Sequence, residues 1–125
     1  MLSIFQRFIS RRKPIVFENS QIPTVVGWIA PIEPYAVSFG PFVFCKEKLN
    51  ERLLRHETIH YHQQIELLFV LQWILYLLFY LKGLVKEDDP KSAYRQNPFE
   101  LEAYDNDDNE DYLSDRPLFN WSKYL

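Results

Sequence analysis

Cysteine and glycine are scarce in this chain, which has one cysteine and three glycines in 125 residues. A single cysteine excludes an intrachain disulfide, which fits a reducing compartment. Three scattered glycines provide no glycine-rich loop for a phosphate, so nucleotide chemistry is not expected. The formal net charge is −3 and the basic residues form no extended patch. The sequence therefore predicts no nucleic-acid partner.

Histidine is also rare, yet all three histidines lie in the segment HETIHYH at 56–62. On a helix, His56 and His60 project from the same face one turn apart, where their imidazoles can bind one Zn²⁺. Glu57 can then act as a general base on zinc-bound water and pass the proton to a leaving amine. His62 is expected to point away from this face, towards solvent or behind the ligands. A chance histidine pair on an ordinary helix is the competing interpretation.

A catalytic zinc site normally has a third protein ligand, and two carboxylates downstream are available. The segment NPFELEAY at 97–104 is predicted to be a short helix, capped by Asn97 and with a proline in its first turn. Glu100 and Glu102 lie about 200° apart on such a helix, so only one of them can face the metal. Glu100 alternatively completes a capping box with Asn97, which requires no metal. Cys45 lies in an alternating apolar segment and is predicted to be a small buried residue.

HETIH followed by FELEAY resembles the gluzincin branch of the zincin metallopeptidases, in which the third zinc ligand is a Glu on a following helix. The local pattern is similar to that of the CAAX-protease and heat-shock membrane protease family, and to that of small bacterial and phage HExxH proteins. The resemblance covers roughly residues 36–105. It implies Zn²⁺ held by His56, His60 and Glu100, with Glu102 as the alternative ligand. It also implies hydrolysis of a peptide or protein substrate with Glu57 as the base.

The resemblance is incomplete after the third ligand. In the family the ligand Glu is followed by two variable residues and then Ala-Asp, and the Asp orients a zinc-bound histidine. Ala103 matches the alanine, a small residue that lets two helices approach, but Tyr104 replaces the Asp and Asp105 comes one residue late. Tyr104 and Asp105 are therefore alternatives for this contact. Candidates for other hydrogen bonds to the ligands or to an oxyanion are Tyr104, Gln63, Arg95, Tyr61 and Tyr94.

The predicted fold class is α+β, and the resemblance implies a minimal zincin-like domain with the strands first. β-branched and aromatic residues, with Pro31 and Pro34 at a turn, predict four strands, at 14–17, 24–29, 36–39 and 41–44. In zincins an edge strand pairs with the substrate. Residues 37–44 are the candidate here, although Pro41 would interrupt the ladder.

The chain is predicted to be one domain, 1–125, because a chain of this length buries a single core. Its predicted parts are a basic amphipathic segment, strands, the HExxH helix with its apolar continuation, the ligand-bearing helix and an acidic tail. These parts span 1–13, 14–46, 47–85, 90–105 and 106–125. Residues 105–115 carry six acids and no base, which is typical of a solvated loop or tail.

The segment 67–85 has only Gln72 and Lys82 as strongly polar side chains, and its mean hydropathy of about 2 lies in the range of membrane spans. Three interpretations compete: a transmembrane continuation of the zinc helix, a bitopic or re-entrant anchor, or a core helix of a soluble domain. A break near Gln72 would turn the segment back on itself as a hairpin. A helix that is apolar on all sides needs cover on all sides, which predicts a membrane or a second copy as partner.

The first thirteen residues alternate apolar side chains with arginines and predict a short basic amphipathic helix. Such a helix lies on an anionic membrane face or covers the core. Gln6 and Arg7 interrupt its apolar stretch, unlike a secretory signal, so the predicted location is the cytoplasm or the cytoplasmic face of a membrane. Two functions remain open: a zinc metallopeptidase, or a non-catalytic zinc-binding or membrane-associated interaction protein.

Overall fold

The computed structural model describes residues 3–29, 35–87 and 89–125. Over these ranges helices and a small sheet alternate, so the predicted α+β class is confirmed. In chain order the elements are α1 Ile4–Ser10, β1 Ile15–Phe17, α2 Ile22–Ile29, β2 Ala36–Phe39, β3 Phe42–Cys45, α3 Glu51–Glu66, α4 Val70–Glu87, α5 Pro90–Arg95, α6 Pro98–Asn106, α7 Tyr112–Asp115 and the 3₁₀ helix Asn120–Tyr124.

The three strands form one sheet in the order β1-β3-β2, with β1 parallel and β2 antiparallel to β3. Gly40 and Pro41 form the two-residue turn between β2 and β3, and Gly40 has the positive φ of 59° that such a turn requires. Pro41 therefore lies in the turn and does not interrupt a ladder. The sheet edges are β1 and β2, and of the two strands within 37–44 only β2 is an edge. The prediction of an edge strand over 37–44 is correct for its first part and wrong for β3, which is paired on both sides.

The predicted strand at 24–29 is wrong, because these residues belong to helix α2. The hydroxyl of Ser20 accepts a hydrogen bond from the Ile22 amide where the helix starts, and Pro23 occupies the first turn, where its fixed φ suits a helix. These local signals outweigh the strand propensity of the valines that follow. The turn predicted around Pro31 and Pro34 lies outside the described residues.

The HExxH helix and its apolar continuation, predicted over 47–85, are two separate helices, α3 and α4, bent by 114°. Asn50 caps α3, and its side chain accepts a hydrogen bond from the Leu53 amide. The chain turns at 67–69, where Leu68 and Phe69 have positive φ, and not near Gln72. Leu67 is buried at this turn in one cluster with the aromatic rings of Phe99 and Trp121. Packing therefore ends α3 where the sequence carries no glycine or proline.

Helix α4 packs against α5 at Gly83, where an added Cβ would lie 3.0 Å from the Cα of Ala93. No helix in the described part of the chain is long and apolar enough to cross a membrane alone, although the bent α3–α4 pair passes the same test of length and composition. One face of α4 remains exposed and consists of Val70, Leu71, Ile74, Leu77, Leu78, Leu81 and Val85. The membrane and a second copy remain predictions for this segment.

The acidic tail predicted over 106–125 is mostly exposed, but four of its residues are buried. Trp121 is buried with Phe99, and Tyr112 is buried with Ile59 of α3 and Ala103 of α6. Arg116 is buried between Glu66 and Glu102, with nitrogen–oxygen distances of 2.7 and 2.6 Å. The segment contributes aromatic groups and one paired cation to the core. Its acidic composition gave no indication of these buried groups.

Candidate metal centre

Helices α3 and α6 bring three potential metal ligands together. α3 presents His56 and His60 on one face, and α6, capped by Asn97 as predicted, presents Glu100 in its first turn. Glu100 Oε1 lies 3.2 Å from His56 Nε2 and 3.1 Å from His60 Nε2, and the two Nε2 atoms are 3.2 Å apart. Ligand bonds of about 2.0–2.1 Å in a tetrahedral zinc site separate the ligand atoms by about 3.3 Å. The three residues can therefore hold a metal ion.

The hydrogen bonds behind the histidines fix where their protons lie. Nδ1 of His60 is 2.9 Å from Oε1 of Gln63, whose amide nitrogen donates to Phe99 O and Glu102 Oε1. The amide oxygen must then accept a hydrogen bond from the N–H at His60 Nδ1. Nδ1 of His56 is 3.0 Å from Oδ2 of Asp107, which also accepts. When both imidazoles are neutral, each therefore turns an unprotonated Nε2 towards Glu100, an arrangement of three acceptors that suits a cation.

Without a metal ion, the Glu100 carboxylate instead favours a proton on the imidazole of His60. Burial alone would lower the pKa of His60, but the charge of the Glu100 carboxylate and its hydrogen bond raise that pKa to about 10. Burial likewise opposes ionisation of Glu100, but the charge of His60 and hydrogen bonds from both histidines hold the pKa of Glu100 well below its usual range. The centre therefore has a strong preference for positive charge, which a metal ion also satisfies.

The sequence prediction missed Asp107, and also Tyr76, whose hydroxyl donates to Glu100. Asp107 is buried, and α3 holds it from two sides, because Arg52 Nε donates to its carboxylate and Arg55 Nη1 donates to its main-chain oxygen. Asp107 comes seven residues after Glu100, a two-turn spacing that places both on the same face of a helix. The seven-residue spacing could have indicated that Asp107 lies near the ligands. Asp107 was instead assigned to the acidic segment because of the composition around it.

The two residues considered for this contact lie elsewhere. Asp105 accepts a hydrogen bond from the hydroxyl of Tyr124. Tyr104 packs the edge of its ring against His56, with the centroids 4.5 Å apart, and the guanidinium of Arg95 covers the Tyr104 ring at 3.7 Å. Tyr104 and Arg95 therefore pack beside the His56 imidazole, and the carboxylate at His56 Nδ1 is that of Asp107.

Glu102, the alternative ligand, lies on the other side of α6. Its carboxylate accepts hydrogen bonds from Arg116, Tyr112 and Gln63. The structure therefore brings Glu100, and not Glu102, into the group with the histidines. The capping box between Asn97 and Glu100 is not formed, since Glu100 contacts the histidines and also accepts from the hydroxyl of Tyr76 at 2.8 Å.

His62 is not part of the ligand group, as expected, but it is buried, so the alternative in which it faces solvent is wrong. Its Nε2 lies 2.9 Å from the main-chain oxygen of Arg12, and burial lowers its pKa to about 4. His62 is therefore a neutral residue that connects α3 to the segment after α1. Cys45 is fully buried, as predicted. Tyr61 is buried beside His62, with ring centroids 6.2 Å apart.

Glu57 is buried and lines two clefts, one of which contains His60 and the other His56. Burial raises its pKa, against the opposing charges of His60 and His56. One cleft, of about 250 Å³, runs past His60 to Trp73 and Gln72, and the other runs past His56 to Tyr104. Ala36 of β2, Glu57 and Tyr94 line both clefts. A chain lying along the β2 edge would therefore pass Glu57 and the metal-binding group.

No family model, curated protein or solved structure matches this chain. The geometry of the centre is therefore the basis for any assignment of function. It combines three convergent acceptor atoms, a separate buried carboxylate beside them and access from two clefts.

Proposed function

We propose that the protein is a zinc-dependent peptidase of gluzincin type. The observation that carries this proposal is the convergence of His56, His60 and Glu100 at mutual distances of 3.1–3.2 Å. Two imidazoles and one carboxylate form the ligand set of catalytic zinc sites that leave a fourth position to water. The ion would supply acidity to this water and polarise the substrate carbonyl.

Glu57 is the residue that moves the proton. Its carboxylate adjoins the histidines without being part of the ligand group, so it is free to accept a proton from the attacking water and deliver it to the leaving amine. Burial raises its pKa, which makes it a better base than an exposed glutamate.

The clefts fit an extended peptide. β2 is a sheet edge, and its residues Ala36, Val37 and Ser38 line the smaller cleft together with His60. An edge strand offers main-chain hydrogen bonds to a chain laid beside it. Tyr94 lines both clefts next to Glu57, which makes its hydroxyl the best placed of the sequence candidates to donate to an oxyanion.

Metal content and the Glu57→Gln variant test the proposal. We expect close to one zinc per chain in protein purified without chelator, and loss of zinc in His56→Ala/His60→Ala. With a mixture of fluorogenic peptides, Glu57→Gln is expected to keep zinc and fold while its hydrolysis falls by about 100-fold or more. Glu51→Gln, on the exposed first turn of the same helix, is the matched control and is expected to leave hydrolysis unchanged.

Three results would contradict the proposal. Folded protein that binds no transition metal removes the zinc centre. Equal hydrolysis of peptides by zinc-loaded wild type and Glu57→Gln removes Glu57 as the base. Absence of hydrolysis by the zinc-loaded wild type leaves a non-catalytic zinc-binding protein.

A further inference from the structure

Helix α1 carries an exposed apolar surface that the proposed active site does not use. Ser3 and Gln6 form a capping box at its start, so the short helix is fixed locally. Ile9 is buried, and the Gln6 side chain donates to the main-chain oxygen of Arg116, which orients the helix on the protein. The helix exposes Ile4, Phe5 and Phe8, whose exposed fractions are 86%, 71% and 49%.

The helix and the residues that follow it are strongly basic. Residues 3–17 include four cations, Arg7, Arg11, Arg12 and Lys13, and no acid. All four are exposed, and none belongs to an ion pair recorded among residues 3–29, 35–87 and 89–125. The guanidinium of Arg12 lies 4.1 Å from the Phe8 ring centroid, so cation and apolar ring occur side by side. The four positive charges are thus available to a negatively charged partner.

We propose that α1 docks the protein on an anionic lipid surface. A helix lying in the interface of such a surface buries apolar side chains among the acyl chains and places adjacent cations at the head groups. α1 presents both groups interleaved, at positions 4, 5 and 8 and at 7, 11 and 12. The exposed face of α4 is larger, but residues 67–81 include no charged side chain. The charge around α4 therefore does not indicate which kind of partner would cover it.

Sedimentation with lipid vesicles tests this proposal with the full chain. We expect the protein to bind vesicles of phosphatidylcholine with about 30% phosphatidylserine, and to bind pure phosphatidylcholine at least tenfold more weakly. Binding should fall as salt is raised, because exposed charges are screened. Arg7→Glu/Arg11→Glu is expected to weaken the partition at least tenfold, since each basic residue near such a surface contributes about fivefold. Phe5→Ser should weaken it severalfold.

Matched controls separate this surface from general effects. Lys48→Glu/Lys91→Glu makes the same change in net charge at two exposed, distant positions and should change the partition by less than twofold. Leu78→Ser removes an exposed leucine from α4 and should also have little effect. Circular dichroism of each variant verifies the fold.

Four results would overturn the proposal: no binding to the anionic vesicles, equal binding to neutral vesicles, equal loss in the lysine control, or loss confined to Leu78→Ser. Tighter binding to poly-L-glutamate than to vesicles would also overturn it and indicate an acidic protein partner. Peptidase activity does not enter these measurements, so this proposal and the proposed function can fail independently.

Discussion

Asp107 at the C-terminal end of α6 accepts a hydrogen bond from Nδ1 of His56, at 3.0 Å, and so turns Nε2 of this histidine towards Glu100. Arg52 and Arg55 hold the aspartate in place from the opposite helix. The metal-binding orientation of His56 therefore depends on a residue that lies seven positions after Glu100.

Replacing Asp107 should weaken metal binding without removing a ligand. We expect Asp107→Ala to lower zinc affinity by about 10- to 100-fold, because the imidazole loses the group that fixes its orientation and increases its basicity. Competition with a chromophoric zinc chelator measures the affinity. Asp105→Ala is the control, since Asp105 contacts Tyr124 and not a histidine. Equal affinities for the two variants would contradict the role assigned to Asp107.

Glu100 and Glu102 should separate metal binding from stability. Glu100→Gln replaces the carboxylate that faces both histidines by a weak neutral ligand and is expected to reduce zinc affinity strongly. Glu102→Gln should leave zinc affinity nearly unchanged but lower the free energy of unfolding by roughly 2–4 kcal/mol, because the buried Arg116 loses one of its two anionic partners.

Zinc titration and chemical denaturation of the metal-free proteins measure these two effects. A loss of zinc affinity in Glu102→Gln larger than that in Glu100→Gln would assign the third ligand to Glu102 and contradict the site described above.

The spacing of residues predicted the parts of the centre that lie on single helices. His56 and His60 share a face of α3 because they are four residues apart, and Asn97 starts α6 as its capping chemistry requires. The spacing of residues within each helix could not predict that α3 and α6 contact each other. The contact depends on the packing of Ile59 against Ala103, and the resemblance to gluzincins supplied the choice of Glu100.

The errors arose where tertiary packing overrides local pattern. The segment 67–85 gives no local signal for a turn, yet the chain bends at 67–69 because Leu67 packs with Phe99 and Trp121, which are distant in sequence. The acidic composition of 105–115 is typical of a tail, but it conceals Asp107 and Tyr112, which are buried against α3 and α6.

The bend between α3 and α4 should be strained at Leu68. This residue is 80% exposed and has a φ of +56°, a conformation that costs a residue with a Cβ about 1–2 kcal/mol. Leu68→Gly is expected to raise the free energy of unfolding by about 0.5–1 kcal/mol, after the greater freedom of glycine in the unfolded chain is included. Urea denaturation measures the difference.

Two substitutions control for the loss of the leucine side chain at the bend. Leu68→Ala keeps the Cβ and should give no comparable gain. Leu78→Gly, at an exposed position inside α4, should instead cost about 1 kcal/mol. A loss of stability in Leu68→Gly similar to that in Leu78→Gly would show that the backbone at position 68 is not strained.

Tyr94 should affect the chemical step and not the metal. Its ring lines both clefts beside Glu57, whereas Tyr76 already donates its hydroxyl to Glu100. If Tyr94 donates to the oxyanion in the proposed peptidase, Tyr94→Phe removes one donor and should lower kcat by about 100-fold, with zinc content and KM little changed. Steady-state hydrolysis of a fluorogenic peptide by zinc-loaded protein separates kcat from KM.

Tyr61→Phe is the matched control, because Tyr61 lies beside His62 and does not line either cleft. A rise in KM with unchanged kcat would make Tyr94 a substrate-binding residue and would leave the oxyanion without a donor from this side of the cleft.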